Sequence, residues 1–164
     1  MNPIFKETQS FNKWWHYLLI SSPFILFIIL MILTQTGVIE TKSGEKEPLT
    51  FLISIITAFV FMVWFIAMRL TTTIDETGIT AHFFGIPFCK KYINWNDIQS
   101  IQVVEYSPLF DYGGWGVRWS FNGWCYNVSG KIGIKIIQKN GKPFLIGTQQ
   151  AEETKKIIAH YFNH

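Results

Sequence analysis

In Thr71-Thr72-Thr73-Ile74-Asp75-Glu76-Thr77-Gly78-Ile79-Thr80-Ala81-His82-Phe83-Phe84, two short runs of alternating side chains flank Glu76-Thr77-Gly78. Alternation with a period of two marks half-buried strands, and a glycine free to take positive φ suits a tight turn between them. The stretch predicts a β-hairpin, with Thr71–Asp75 and Ile79–Phe84 as its arms. Everything before it has a different texture.

From Tyr17 to Leu33 the only polar residues are Ser21 and Ser22, and from Leu49 to Leu70 the only ones are Thr50, Ser54, Thr57 and Arg69. A bilayer core of about 30 Å needs about 20 apolar residues in a helix. The runs therefore predict two transmembrane helices, at about 14–34 and 49–70, with Trp14, Trp15 and Tyr17 at the interface, where aromatic rings collect. Thr34-Gln35-Thr36-Gly37 is a poor cleavage site, which argues against a removed signal peptide. Lys6 and Lys13 lie before the first run, and Arg69, Lys90 and Lys91 follow the second. The loop from Thr34 to Pro48 sets Lys42 and Lys46 against Glu40, Glu45 and Glu47. This balance predicts a multi-pass protein of the inner (plasma) membrane, both termini cytoplasmic, with Arg69, Lys90 and Lys91 near the lipid surface. No charge falls in the middle of either run, so both read as anchors rather than as a transport path.

Composition agrees with a chain partly surrounded by lipid: 49% of residues are hydrophobic and 17% aromatic, but only 15% are charged. An ordinary domain carries about 25% charged residues. A net charge of +3, with its lysines scattered, gives no nucleic-acid footprint. Cys89 and Cys125 stand apart and form neither a zinc nor a redox motif. They read as free thiols in a reduced compartment.

Downstream of the opening hairpin, Ile98–Tyr106 reads as a strand, and Val117–Phe121 and Trp124–Val128 pair across Asn122-Gly123, a strong hairpin signal. Gly133–Lys139 and Pro143–Gly147 make a last hairpin through Asn140-Gly141-Lys142. A helix from about Gln149 to Phe162 closes the chain, with Thr148 as N-cap and Ala151, Thr154, Ile157, Ile158, Tyr161 and Phe162 on one stripe. The fold class expected is α+β: an N-terminal transmembrane helical hairpin over 1–70, then over 71–164 an antiparallel β sandwich or barrel of about seven strands with one C-terminal helix.

That outline resembles a pleckstrin-homology-like domain. Trp95-Asn96-Asp97-Ile98-Gln99-Ser100-Ile101, the stretch Pro108 to Arg118, Tyr126-Asn127-Val128-Ser129-Gly130 and Leu145-Ile146-Gly147-Thr148-Gln149 resemble phrases of an uncharacterised prokaryotic family that places such a domain behind paired membrane helices. The resemblance implies fold and topology and brings no activity. Phosphoinositide binding is not expected, because the first hairpin turn is acidic where a cluster of basic residues would be needed.

No catalytic motif is present. Ser129-Gly130 lacks the strand-turn-helix setting of a nucleophile elbow. His16, His82, His160 and His164 include one pair at helical spacing and no third ligand, so neither metal nor cofactor is expected. Asn127-Val128-Ser129 matches the glycosylation pattern on a side expected to be cytoplasmic. The richest segment is Tyr106–Gly116 with Arg118: Gly113, Gly114 and Gly116 free the backbone, while Asp111, Tyr112, Trp115 and Arg118 supply a carboxylate, two amphipathic rings and a guanidinium. It reads as a binding loop. It reads more readily as a corner in which Trp115 plugs the sheets and Asp111 bonds to backbone or Arg118. The function expected is a membrane-anchored binding or scaffold module, not an enzyme, with the lipid bilayer and an unidentified protein as partners. The alternative is an enzyme or regulator of envelope or lipid metabolism with its site in the 106–118 loop.

Overall fold

The computed structural model of the chain describes residues 4–12, 14–37 and 48–162. They form two compact units, Phe11–Ala67 and Met1–Ser10 together with Met68–His164. The first unit holds helices α1 (Trp14–Gln35) and α2 (Pro48–Ala67). The hydroxyls of Thr34 and Thr57 turn back onto the carbonyls of Met31 and Ile53, both at 2.8 Å, so each polar group is satisfied inside its own helix. Phe11 packs on Phe65 with ring centroids 4.9 Å apart. Ile25, Leu26, Phe59 and Val60 are exposed.

These helices correct the transmembrane reading. Among the described residues, no helix is long and apolar enough to cross a membrane. The second apolar run also ends early: α2 stops at Ala67, and Met68 and Leu70 are 5% and 0% exposed within the β unit. The expected spans at 14–34 and 49–70 are corrected accordingly. So are the readings built on them: the multi-pass inner-membrane location, the bilayer as partner, and the membrane-anchored module with its envelope or lipid alternative. Arg69 and Lys90 are strand residues, opposite Phe84 and His82. Trp14 and Tyr17 are exposed on α1, and the side chain of Trp15 lies outside the described residues, as does most of the loop expected at 34–48.

The β unit contains nine strands among the described residues, not about seven. β1 (Phe5–Ser10), β2 (Arg69–Asp75), β3 (Gly78–Phe84) and β4 (Lys90–Asn94) form one antiparallel sheet in sequence order. The other sheet contains β5 (Ile98–Glu105), β6 (Gly116–Ser120), β7 (Gly123–Asn127), β8 (Ile132–Gln138) and β9 (Pro143–Gly147), in the order β5-β8-β9-β7-β6. β9 inserts between its antiparallel partner β8 and β7, with which it runs parallel. Four strands plus five, with a parallel pair in the second sheet, correct the expectation of a seven-stranded antiparallel sandwich or barrel in hairpin order. The short helix α3 (Pro108–Tyr112) joins β5 to β6, and α4 (Ala151–Phe162) packs against β5, β1 and β2.

The opening hairpin forms because its alternation is complete: Leu70, Thr72 and Ile74 of β2 point inward. Asp75 shapes the turn, its Oδ1 accepting from the Thr77 amide at 2.8 Å and the Thr77 hydroxyl at 2.6 Å. The hydroxyl contact holds the Asp75 carboxyl below the usual carboxylate range. Ile79, Ala81, Phe83, Ile134, Ile136 and Ile146 are all 0% exposed, and each large apolar side chain so buried contributes about 1.5–3 kcal/mol. Phe83 meets Tyr126 edge-on at 6.4 Å, and Tyr126 meets Phe144 at 5.0 Å, so strands of both sheets share this core.

Gly123 starts β7 at φ +91°, and a Cβ there would run into the Pro143 carbonyl oxygen at the start of β9. Positive φ and the closeness of the neighbouring backbone both demand glycine. Gly123→Ala should cost about 2–4 kcal/mol, read as a fall in the urea midpoint. An alanine variant as stable as the native chain would show that the β7–β9 contact is looser than this.

Candidate functional site

The loop between β5 and β6 is ordered from its first residue. Ser107 precedes Pro108 at the start of α3, where a missing N–H costs nothing. Asp111 Oδ2 accepts from the Ser107 amide at 2.7 Å. Gly113, left-handed at φ +70°, ends the helix, its amide donating to the Leu109 carbonyl, and the Gly114 amide donates to that of Pro108. Arg118 lies exposed on β6, its Nε donating to the Trp115 carbonyl at 2.8 Å. Asp111 therefore bonds to backbone, and Arg118 folds over the glycine turn.

Asn127 holds that turn to the sheet. It is 0% exposed; its Nδ2 donates to the Tyr106 hydroxyl at 3.0 Å, and its Oδ1 accepts from the Gly116 amide at 2.8 Å. Both ends of the amide are engaged inside the fold, so the Asn127-Val128-Ser129 pattern offers no accessible glycosylation acceptor. Ser129 is also buried and accepts from Gln149 Nε2 at 2.6 Å.

Tyr106, Tyr112, Cys125 and Leu145 form a buried cluster with Val104 against it. The two tyrosine rings meet edge-on at 5.9 Å, and the Tyr112 hydroxyl donates to the Asn122 carbonyl at 3.4 Å. Above this cluster lies a recess of about 350 Å³, bordered by Val104, Glu105, Tyr106, Asp111, Tyr112, Asn122, Lys135 and Leu145. Of the loop residues singled out in the sequence, Asp111 and Tyr112 border it. Gly113, Gly114 and Gly116 build the turn behind it, and Trp115 and Arg118 do not border it. Tyr106 opens the segment singled out in the sequence, whereas Asn122 and Lys135 were not predicted. The three come from separate strands and turns, so no contiguous motif brings them together.

Burial pushes the Cys125 thiol and the Tyr106 phenol up, and pushes Tyr112 up to about 12. Tyr126, in the core between the sheets, is likewise pushed up to about 12 by burial. All four groups are neutral at pH 7, so the thiol is a packing group rather than a nucleophile. Tyrosines of the unfolded chain titrate near pH 10. Between about pH 10 and 12 the unfolded state releases phenolic protons that the fold retains, so rising pH favours unfolding. The urea midpoint should be flat up to about pH 8, begin to fall as the Cys125 thiol of the unfolded chain ionises near about pH 8.5, and fall more steeply above about pH 10. Replacing Tyr112 by phenylalanine should flatten part of that fall. Among the described residues, no group of three His, Cys, Asp or Glu side chains lies close enough to hold a metal ion.

No protein-family model, curated protein or solved structure matches the chain; the lack, among the described residues, of a helix long and apolar enough to cross a membrane, together with the four-plus-five strand arrangement, corrects the resemblance to pleckstrin-homology-like membrane proteins to a mixed α+β fold with two sheets.

Proposed function

We propose that the β unit is a recognition domain that binds a small polar molecule in the recess between β5, α3 and β8. What carries the reading is the make-up of that recess: an apolar floor of Val104 and Leu145, tyrosine walls, and Asp111, Asn122 and Lys135 around it. Its volume of about 350 Å³ falls at the small end of the range of about 300–1,000 Å³ typical of ligand sites. Binding suits it better than catalysis. The tyrosines and the cysteine that back it are held neutral, leaving no activated nucleophile among them. The loop residues Asp111 and Tyr112 take part directly, and Gly113, Gly114 and Gly116 hold them in place.

The test is thermal denaturation of the full chain against a panel of amino acids, polyols and hydroxy acids, beside a Val104→Trp variant that fills the recess. A ligand at a hundred times its Kd stabilises by about 2.7 kcal/mol, which for a chain of this size raises Tm by about 3–6 °C. The native chain should show that rise with at least one compound and the folded Val104→Trp variant should not. Equal stabilisation of both, or none by any compound, would exclude the recess as the site.

A further inference from the structure

We propose that the recess takes a zwitterion: an aminocarboxylate whose ammonium end meets Asp111, whose carboxylate end meets Lys135, and whose methylene chain lies over Val104 and Leu145. The inference rests on the recess-binding reading above and adds the ligand's chemical class.

Three observations converge. Asp111 and Lys135 carry opposite charge and border one cavity, with Glu105 as a second carboxylate on the same border, yet among the described residues none of the three takes part in an ion pair. Had Asp111 and Lys135 met, each would have neutralised the other. Kept apart, they leave two complementary positions that a ligand with both charges fills at once. Secondly, Asp111 is oriented by the fold: Oδ2 is taken up by the Ser107 amide at 2.7 Å. Among the described residues Oδ1 accepts nothing, so one carboxylate oxygen is open to a donor. Thirdly, the floor between the charged positions is apolar. Lys135 stands opposite Leu145 in the β8–β9 register and opposite Gln102 in the β5–β8 register, with Val104 two residues beyond Gln102 on the same face of β5. An apolar floor suits the methylenes of an extended aminocarboxylate; Tyr106 and Tyr112 beside it are neutral, and Glu105, the third charged group on the border, adds a second carboxylate that attracts the ammonium end.

A ligand with one charge satisfies one end and leaves the other unpaired. A single cation gains Asp111 and Glu105 but is repelled by Lys135, and a single anion gains Lys135 but is repelled by both carboxylates. The discrimination is therefore built from attraction at each end and repulsion of the partial match.

The experiment is isothermal titration calorimetry of the full chain with β-alanine, γ-aminobutyrate and ε-aminohexanoate, and with hexanoate and hexylammonium as single-charge controls. At least one aminocarboxylate should bind about tenfold or more tighter than either control. Asp111→Asn, which keeps an oxygen for the Ser107 amide, and Lys135→Gln should each weaken it about tenfold with the urea midpoint unchanged. If a control binds as tightly as the aminocarboxylates and its binding vanishes in Val104→Trp, the zwitterion inference fails while the recess reading survives. If no compound of this set binds, the inference fails as well, and the broader panel described above decides the recess reading alone. If an aminocarboxylate binds but both charge variants retain full affinity, the charged ends are not what recognises it.

Discussion

Asn127→Leu lowers the stability of the β unit by about 2–4 kcal/mol although the new side chain is close to the old one in size. Two hydrogen-bonding groups lose their partner in the leucine variant: the Gly116 amide, 2.8 Å from Oδ1, and the Tyr106 hydroxyl, 3.0 Å from Nδ2. A buried group left without a partner costs about 1–3 kcal/mol. The Tyr106 hydroxyl lies in the interior, while the Gly116 amide is half-buried and regains part of its loss from water, which keeps the sum below the simple total. Removing both partners is gentler than removing one. Tyr106→Phe alone should therefore cost less than Asn127→Leu, and the double variant less than the two single losses added together. Urea denaturation at pH 7 measures all three, and an unchanged m-value shows that the unfolded state is the same. The consequence extends to the recess. Tyr106 walls it, and the glycine turn that Asn127 secures carries Asp111 and Tyr112, so ligand affinity should fall along with stability. A leucine variant within about 0.5 kcal/mol of the native chain would mean that the turn is held by something other than this amide.

The parts of this fold that were legible in the sequence are those where one short segment holds the whole signal. The turn at Asp75–Gly78 is of this kind, because Leu70, Thr72 and Ile74 alternate inward and Gly78 follows at once. So is the β6–β7 hairpin, announced by Asn122-Gly123, and so is α4, whose Thr154, Ile157 and Ile158 are buried at helical spacing. β1 was missed for a physical reason. Its inward face is Phe5, Glu7 and Gln9, and a strand that buries a carboxylate and an amide shows no apolar alternation. The parallel pairing of β7 with β9 was missed because local pattern names a strand but not its neighbour. Trp124 opposite Phe144 becomes visible only in three dimensions. The two apolar runs misled in another way: length and hydropathy were read as continuous to Leu70, whereas the helix stops at Ala67 and the last residues pass into the β core. At the recess, Asp111 and Tyr112 stood out because aromatic, acidic and glycine residues crowd together there. Lys135 sits among isoleucines on β8 and signals nothing by itself.

Glu7→Ala should cost about 2–4 kcal/mol, the largest effect expected from any residue of β1. The Glu7 carboxylate is 5% exposed and joins the two ends of the chain: Oε2 accepts from the Thr148 hydroxyl at 2.7 Å and Oε1 from the Gln149 amide at 2.8 Å. Hydrogen bonds to a charged group are worth about 1.5–3 kcal/mol each. Their donors lie just before α4, where the helix dipole also favours negative charge. The full sum is not lost, because the Thr148 hydroxyl lies 3.2 Å from that of Thr154 and can turn to it. Glu7→Gln, which keeps one acceptor oxygen but turns an N–H₂ toward a donor, should fall between the alanine variant and the native chain. Lys6→Ala, one residue away on the solvent face of β1, should change stability by less than about 0.5 kcal/mol. Hydrogen exchange separates this bond from a general loss of packing. In Glu7→Ala the Gln149 amide should lose its protection selectively, while amides in the centre of β8 slow or quicken only with global stability. If Gln149 exchanges as slowly in the alanine variant as in the native chain, the N-terminal strand is held by its pairing with β2, and the carboxylate adds nothing to it.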